Sequence, residues 1–136
     1  MGIEGGCYCG NVRYAFDGDM LFRGACCCRE CQYISGGNPN QVVGVPKAGF
    51  SYTKGKPKQF RRQDLANPVT REFCPDCGTH LLTRAPALPD ALILKVGTLD
   101  DPAQFGSPQY VIWTLDAQAF HLLPDNVPKF EKFRHS

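Results

Sequence analysis

Phe73-Cys74-Pro75-Asp76-Cys77-Gly78-Thr79 has the form of a zinc knuckle, in which a tight turn aims two thiolates at one metal and the glycine lets backbone N–H groups face the sulfurs. The bland reading is two unconnected core cysteines in a turn. More than sixty residues upstream, Cys7-Tyr8-Cys9-Gly10 predicts two further sulfurs on one face of an extended segment, because side chains there alternate with period two. Together Cys7, Cys9, Cys74 and Cys77 complete a tetrahedron. Saturated by protein thiolates, such a site has no exchangeable position, and its role is to staple the N-terminal strand to a distant segment.

The remaining cysteines cluster in Cys26-Cys27-Cys28-Arg29-Glu30-Cys31. Cys26, Cys28 and Cys31 can converge on a second metal. Three protein ligands leave one place vacant, the arrangement of a catalytic zinc. Soft thiolates select zinc, copper(I) or iron–sulfur clusters, and seven ligands split as four plus three favour two zinc ions per chain. Cys27 points the other way on an extended segment and is predicted not to be a ligand. Two alternatives stay open: a single four-cysteine site with the other cysteines buried as apolar residues, or a knuckle paired with the middle group that leaves Cys7 and Cys9 free.

Around these motifs lie short apolar runs rich in β-branched and aromatic residues, cut by 14 glycines and 11 prolines. The pattern predicts a mainly β fold with little helix, organised as one domain over residues 1–136. Strands are expected at 11–16, 41–45, 91–97 and 109–113. Residues 50–52 and 59–62, joined through Lys54-Gly55-Lys56-Pro57, look like a hairpin. A short helix is expected from Arg29 to Ile34, ending at Gly36-Gly37.

The start of the chain shows no basic stretch followed by an apolar one, and no apolar run approaches the roughly 20 residues of a spanning helix. The expectation is a cytoplasmic protein with reduced thiols and no membrane partner, which leaves little room for disulfides. The formal charge of +2 becomes −1 once seven thiols ionise around two divalent ions, so the overall charge gives no support for nucleic-acid binding.

Gly6-Cys7-Tyr8-Cys9-Gly10-Asn11-Val12-Arg13-Tyr14, the Cys26–Cys31 cluster followed by Ser35-Gly36, Phe73-Cys74-Pro75-Asp76-Cys77-Gly78-Thr79, the stretch Gly97-Thr98-Leu99-Asp100-Asp101-Pro102, and the tail from Ile112-Trp113 to Leu123-Pro124-Asp125 together resemble the glutathione-dependent formaldehyde-activating family, which includes centromere protein V. The resemblance implies a β-tent of small antiparallel sheets around zinc. It implies structural zinc on Cys7, Cys9, Cys74 and Cys77, catalytic zinc on Cys26, Cys28 and Cys31, and a carbon–sulfur lyase joining a small thiol such as glutathione to an aldehyde, formaldehyde in the nominal reaction. This chain departs from the common pattern with Cys27 where the family often has His, and Gln32 where Arg is frequent. Both positions flank the open site and would bear on substrate choice.

Two competing functions are a zinc module that binds a protein partner without catalysis, and a hydrolytic or aldehyde-processing enzyme using zinc-bound hydroxide. An anionic thiol needs a cationic contact, for which Lys54, Lys56, Lys58, Arg61 and Arg62 are available, though a solvated surface accounts for them as well. Residues 35–40 follow the open site directly and are either substrate-lining or a plain turn. His80 is expected not to bind metal. His121, Trp113, Phe130 and Phe133 are expected to pack. Oligomeric state is not encoded in any of these features.

Overall fold

Ala91-Leu92-Ile93-Leu94-Lys95 offers no polar face, the pattern of a strand covered on both sides, and in a computed structural model of the chain it forms the middle strand of the larger of two sheets. Residues 2–134 are described, so the limits of a unit spanning 1–136 lie outside the described residues at both ends. In chain order the elements are β1 (Gly2–Gly6), β2 (Arg13–Asp17), β3 (Phe22–Cys26), α1 (Arg29–Ser35), β4 (Asn40–Pro46), β5 (Phe50–Lys54), β6 (Lys58–Phe60), β7 (Thr70–Phe73), β8 (His80–Arg84), β9 (Ala91–Lys95) and β10 (Val111–Ile112). The fold is therefore mainly β with a single α-helix among the described residues, as the sequence predicts. No helix among them is long and apolar enough to cross a membrane.

β1, β2 and β5 form a three-stranded sheet, and the other strands follow the order β10-β3-β4-β9-β8-β7-β6. Pairing is antiparallel except for the short β10, which runs parallel to β3 and puts Ile112 opposite Cys26. The two sheets close on one core. Ile3, Tyr14 and Phe16 from the small sheet meet Val43, Val45, Leu82, Leu92 and Leu94 from the large one, all at 7% exposure or less. Removing this apolar area from water is the main stabilising term, at about 25 cal/mol per Å².

The expected hairpin through Lys54–Pro57 does not form. β5 pairs with β2 and β6 pairs with β7, so the two strands belong to different sheets. Phe50 and Tyr52 explain the choice: the Phe50 ring packs against Tyr14 with centroids 5.3 Å apart, Tyr52 packs edge-on against Phe50 at 5.1 Å, and this draws β5 onto the small sheet. β1, β3, β7 and β8 escape the sequence reading because glycines or charged residues interrupt their apolar pattern.

The sheets are also joined by a buried carboxylate. Glu72 on β7, 2% exposed, accepts from Tyr52 Oη at 2.6 Å, Gln59 Nε2 at 2.7 Å and Arg84 Nε at 2.7 Å. Burial pushes its carboxyl up, but the hydrogen bonds from Arg84, Tyr52 and Gln59 outweigh that and hold it below the ordinary range. A depressed carboxyl stabilises the fold above its unfolded value and loses that contribution as pH falls through the folded one. Glu72→Gln is thus expected to cost about 1–3 kcal/mol at neutral pH, with the difference from the parent narrowing below about pH 4. Thermal melts of both proteins between pH 3 and 7 check this; a constant difference throughout would refute it.

Candidate metal centres

The sulfurs of Cys7, Cys9, Cys74 and Cys77 all lie within 4.8 Å of one another, and so do those of Cys26, Cys28 and Cys31. The structure thus brings all seven residues together in the two groups that their spacing suggests. Cys27 joins neither.

The four-sulfur group is built from two similar turns. The Cys7 and Cys74 N–H groups donate to the carbonyls of Val12 and Thr79 at 3.0 and 2.9 Å, and the Gly10 and Gly78 N–H groups donate back to those of Cys7 and Cys74 at 3.1 and 2.9 Å. Both glycines adopt positive φ, +80° and +78°, as such a tight return demands. Cys7 and Cys9 therefore converge through a turn, not through the alternation of an extended strand: the chain leaves β1 at Gly6 and reverses at Tyr8-Cys9. Backbone N–H groups point at the sulfurs, from Val12 to Cys7 at 3.2 Å and from Asp76 and Cys77 to Cys74 at 3.4 and 3.5 Å. The Thr79 hydroxyl and backbone lower the Cys77 thiol to about 5. An Asn11–Asp76 hydrogen bond of 3.0 Å ties one turn to the other.

The three-sulfur group sits where β3 runs into α1. Cys26 ends the strand, Cys28 is the helix N-cap with its Sγ accepting the Cys31 N–H at 3.4 Å, and Cys31 follows one turn on. Asn40, opposite Cys26 on β4, points its amide at Cys31 Sγ from 3.5 Å. Hydrogen bonds from Cys26 and Cys28 hold the Cys31 thiol far below its ordinary range, and the same contacts drive Cys26 far above it. Three sulfurs this close cannot all ionise without a cation among them. The donor set fits a soft or borderline divalent ion, with no fourth protein ligand within reach among the described residues.

Cys27 is fully buried on the other side, with Ala25 and Val111 and against Ala117, Leu123 and Val127. Gln32 also turns away from the sulfurs. It is 3% exposed and donates to the carbonyls of Cys27 and Asp116 at 2.8 and 2.9 Å. Cys27 and Gln32 therefore serve the seating of α1 on the C-terminal segment instead of facing the three sulfurs. The loop 35–40 is pinned there too, by a 2.7 Å contact between His121 Nε2 and the Gly37 carbonyl; the Gln118 N–H occupies His121 Nδ1.

The other named residues divide. Trp113 packs edge-on against Phe133 at 5.5 Å and holds a left-handed backbone with φ 58°. The Phe130 N–H bonds to the Val111 carbonyl at 2.9 Å. His80 stacks on Phe73 at 5.8 Å, lies outside both sulfur groups, and its buried Nδ1 has no hydrogen-bond partner. Lys54, Lys56, Lys58 and Arg61 are exposed, and Arg62 pairs with Asp64 at 2.6 Å.

Lys95 was not singled out by the sequence. It is 8% exposed, donates to Thr83 Oγ1 at 3.0 Å, and shares the helix-facing side of the sheet with Asn40. Burial pulls its ammonium down to about 8, while negative charge on Cys31, Cys26 and Cys28 pushes it back up. The signal was present: a lysine inside a strand apolar on both faces has to be buried.

A family model described as glutathione-dependent formaldehyde-activating enzyme matches residues 2–116. A crystal structure of a Rhodobacter sphaeroides protein is similar to this one with a TM-score of 0.62 and 17% identity, over 77% of this chain and 96% of that one. At that identity the likeness is one of fold. No curated protein matches the chain.

Proposed function

We propose that this chain, which belongs to the glutathione-dependent formaldehyde-activating enzyme family, binds a small thiol of the glutathione type at Cys26, Cys28 and Cys31 and forms or breaks its carbon–sulfur bond to an aldehyde. One observation carries the reading: two sulfur groups of unequal size, four in one and three in the other. We assign two zinc ions per chain to a unit spanning residues 1–136. A structural ion would be held by Cys7, Cys9, Cys74 and Cys77, and a catalytic one by Cys26, Cys28 and Cys31. Zinc with an open position supplies a Lewis acid that holds and ionises a thiol.

Ionisation is a modest part of the effect. A free thiol with pKa about 8.5 is already several per cent thiolate near pH 7, so full ionisation raises the reactive fraction only about tenfold. Positioning has to supply the rest. The chain's own contribution is a rigid seat: β3 and α1 fix the three sulfurs, Asn40 supports Cys31, and His121 fixes the loop beside them. In the forward direction the substrate sulfur gives an electron pair to the carbonyl carbon and the C=O π pair moves to oxygen. That oxygen takes up a proton, and the thiol proton is released to solvent.

Metal analysis of the parent, Cys28→Ser and Cys27→Ser, with glutathione titration of cobalt-substituted protein, tests the reading. The expected result is two metals in the parent and in Cys27→Ser, one in Cys28→Ser, and a thiol-dependent cobalt spectrum that Cys28→Ser abolishes. One metal throughout and no response to glutathione would sink it. That outcome would favour the second reading, a zinc module for a protein partner, to which the exposed Tyr33, Phe120 and Leu122 lend support at 80%, 63% and 96% exposure.

A further inference from the structure

The two sulfur groups meet their negative charge differently. At the four-sulfur group, three backbone N–H groups face Cys7 and Cys74, Cys9 is exposed and Cys77 is partly so. The three-sulfur group has no exposed member, Cys26 being buried and Cys28 and Cys31 partly so, and has only the Cys31 N–H and the Asn40 amide directed at sulfur among the described residues. Three thiolates around a divalent ion carry one net negative charge, and an anionic fourth ligand makes it two. Buried charge of that size calls for a partner.

The sheet register supplies one. Cys26 lies opposite Asn40 on β4; two residues on, Val42 lies opposite Lys95 on β9; and Ile93, two residues before Lys95, lies opposite Thr83 on β8, itself opposite Arg71 on β7. Because facing residues and alternate residues share a face, these side chains line the side of the sheet that α1 covers. The helix is bonded at both ends of this row, by Cys31 to Asn40 and by Glu30 to Arg71 at 3.0 Å. Lys95 lies between those two anchors. Arg71 already has Glu30 as its carboxylate. Among the described residues Lys95 has only a neutral hydroxyl, at Thr83, for one of its three protons.

We propose that Lys95 is the counter-charge of the three-thiolate site: its buried ammonium strengthens that site's hold on a divalent metal and favours an anionic thiolate over a neutral molecule as the fourth ligand. The proposal rests on reading Cys26, Cys28 and Cys31 as the open site. It makes Lys95 a positioning and selecting group, not a catalytic residue.

Zinc transfer from the two-zinc protein to a chromophoric chelator is the test, with Cys28→Ser identifying which release phase belongs to the three-sulfur site. Lys95→Met is expected to speed that phase by on the order of tenfold to a hundredfold, the effect of one nearby unit charge at an effective dielectric of about 20. The four-sulfur phase should not change. Lys95→Arg should behave as the parent, and Thr83→Val, which keeps the charge but removes its hydrogen bond, should change the phase by less than about threefold. In cobalt-substituted Lys95→Met, half-saturation by glutathione should rise about tenfold. If Lys95→Met fails to fold, Lys95→Gln takes its place. An unchanged three-sulfur phase in a folded variant overturns the proposal, as does equal acceleration of both phases. If instead Cys28→Ser removes no phase, the reading of the open site falls, and that result is separable from any effect at Lys95.

Discussion

Cys74→Ser is expected to lower the melting temperature by more than about 15 °C, the largest loss from any single thiol, whereas Cys28→Ser should lower it by only a few degrees. Cys74 is fully buried in the main core, donates its N–H to Thr79 and accepts two N–H groups at its sulfur. Serine there would remove one of the four sulfurs proposed to hold the structural ion and leave those donors facing an oxygen that cannot reach the same distances. Structural zinc binding is worth about 10–16 kcal/mol in zinc-finger peptides, against total domain stabilities of about 5–15 kcal/mol. Losing a third of that would already shift a domain of this size by 15 °C or more. The four-sulfur site also joins the chain ahead of β2 to the turn between β7 and β8, so its loss frees a long loop in the unfolded state. Melts of both variants, with and without chelator, decide the matter. If Cys74→Ser melts within about 5 °C of the parent, the four-sulfur group is not what holds the two sheets together.

The contrast between these variants follows from what each site touches. The four-sulfur turns lie next to the core and are cross-tied by Asn11 and Asp76. The three-sulfur group lies on the opposite side of the large sheet, under a seven-residue helix that the C-terminal segment braces through Gln32 and Asp116. One side of the sheet is committed to stability and the other presents a short helix, a pinned loop and a buried lysine.

Much of this was legible in the sequence where geometry is local. C-x-C and C-x-x-C spacings keep sulfurs close along the chain, so the pairs Cys7–Cys9 and Cys74–Cys77 and the trio Cys26, Cys28 and Cys31 could be read directly, while the joining of the two pairs across more than sixty residues stayed one of several alternatives until the fold brought them together. The helix after Cys28 was also legible, because Gly36-Gly37 ends the run that starts at Arg29. What failed was non-local. Phe50 and Tyr52 choose the small sheet because of Tyr14, thirty-odd residues earlier, and no turn signal at Gly55-Lys56 reports that. The turn at Tyr8-Cys9 and the burial of Gln32 depend likewise on partners far along the chain, Thr79 and Asp116.

Gly55→Ala is the substitution through which that non-local packing should be felt at the metal. Gly55 follows β5 with φ +69°, a conformation costing an alanine about 1–2 kcal/mol by itself. A Cβ there would also collide with the Asn11 carbonyl oxygen, and would lie 3.1 Å from that carbonyl carbon and 3.3 Å from Val12 Cα. These are backbone atoms, so relief requires moving the chain at 11–12. That chain is not free to move: Asn11 is held by Asp76, and Val12 is bonded to both the N–H and the sulfur of Cys7. The total expected loss is about 2–4 kcal/mol, or roughly 6–15 °C in melting temperature. Metal should also leave the four-sulfur site faster while the three-sulfur site is unaffected. Gly97→Ala serves as the control, since an added Cβ there has nothing within 4 Å and no positive φ; it should change stability by less than about 0.5 kcal/mol. Were Gly55→Ala to melt like Gly97→Ala, the contact between the end of β5 and residues 11–12 would be too soft to transmit strain, and the four-sulfur site would depend on its own two turns alone.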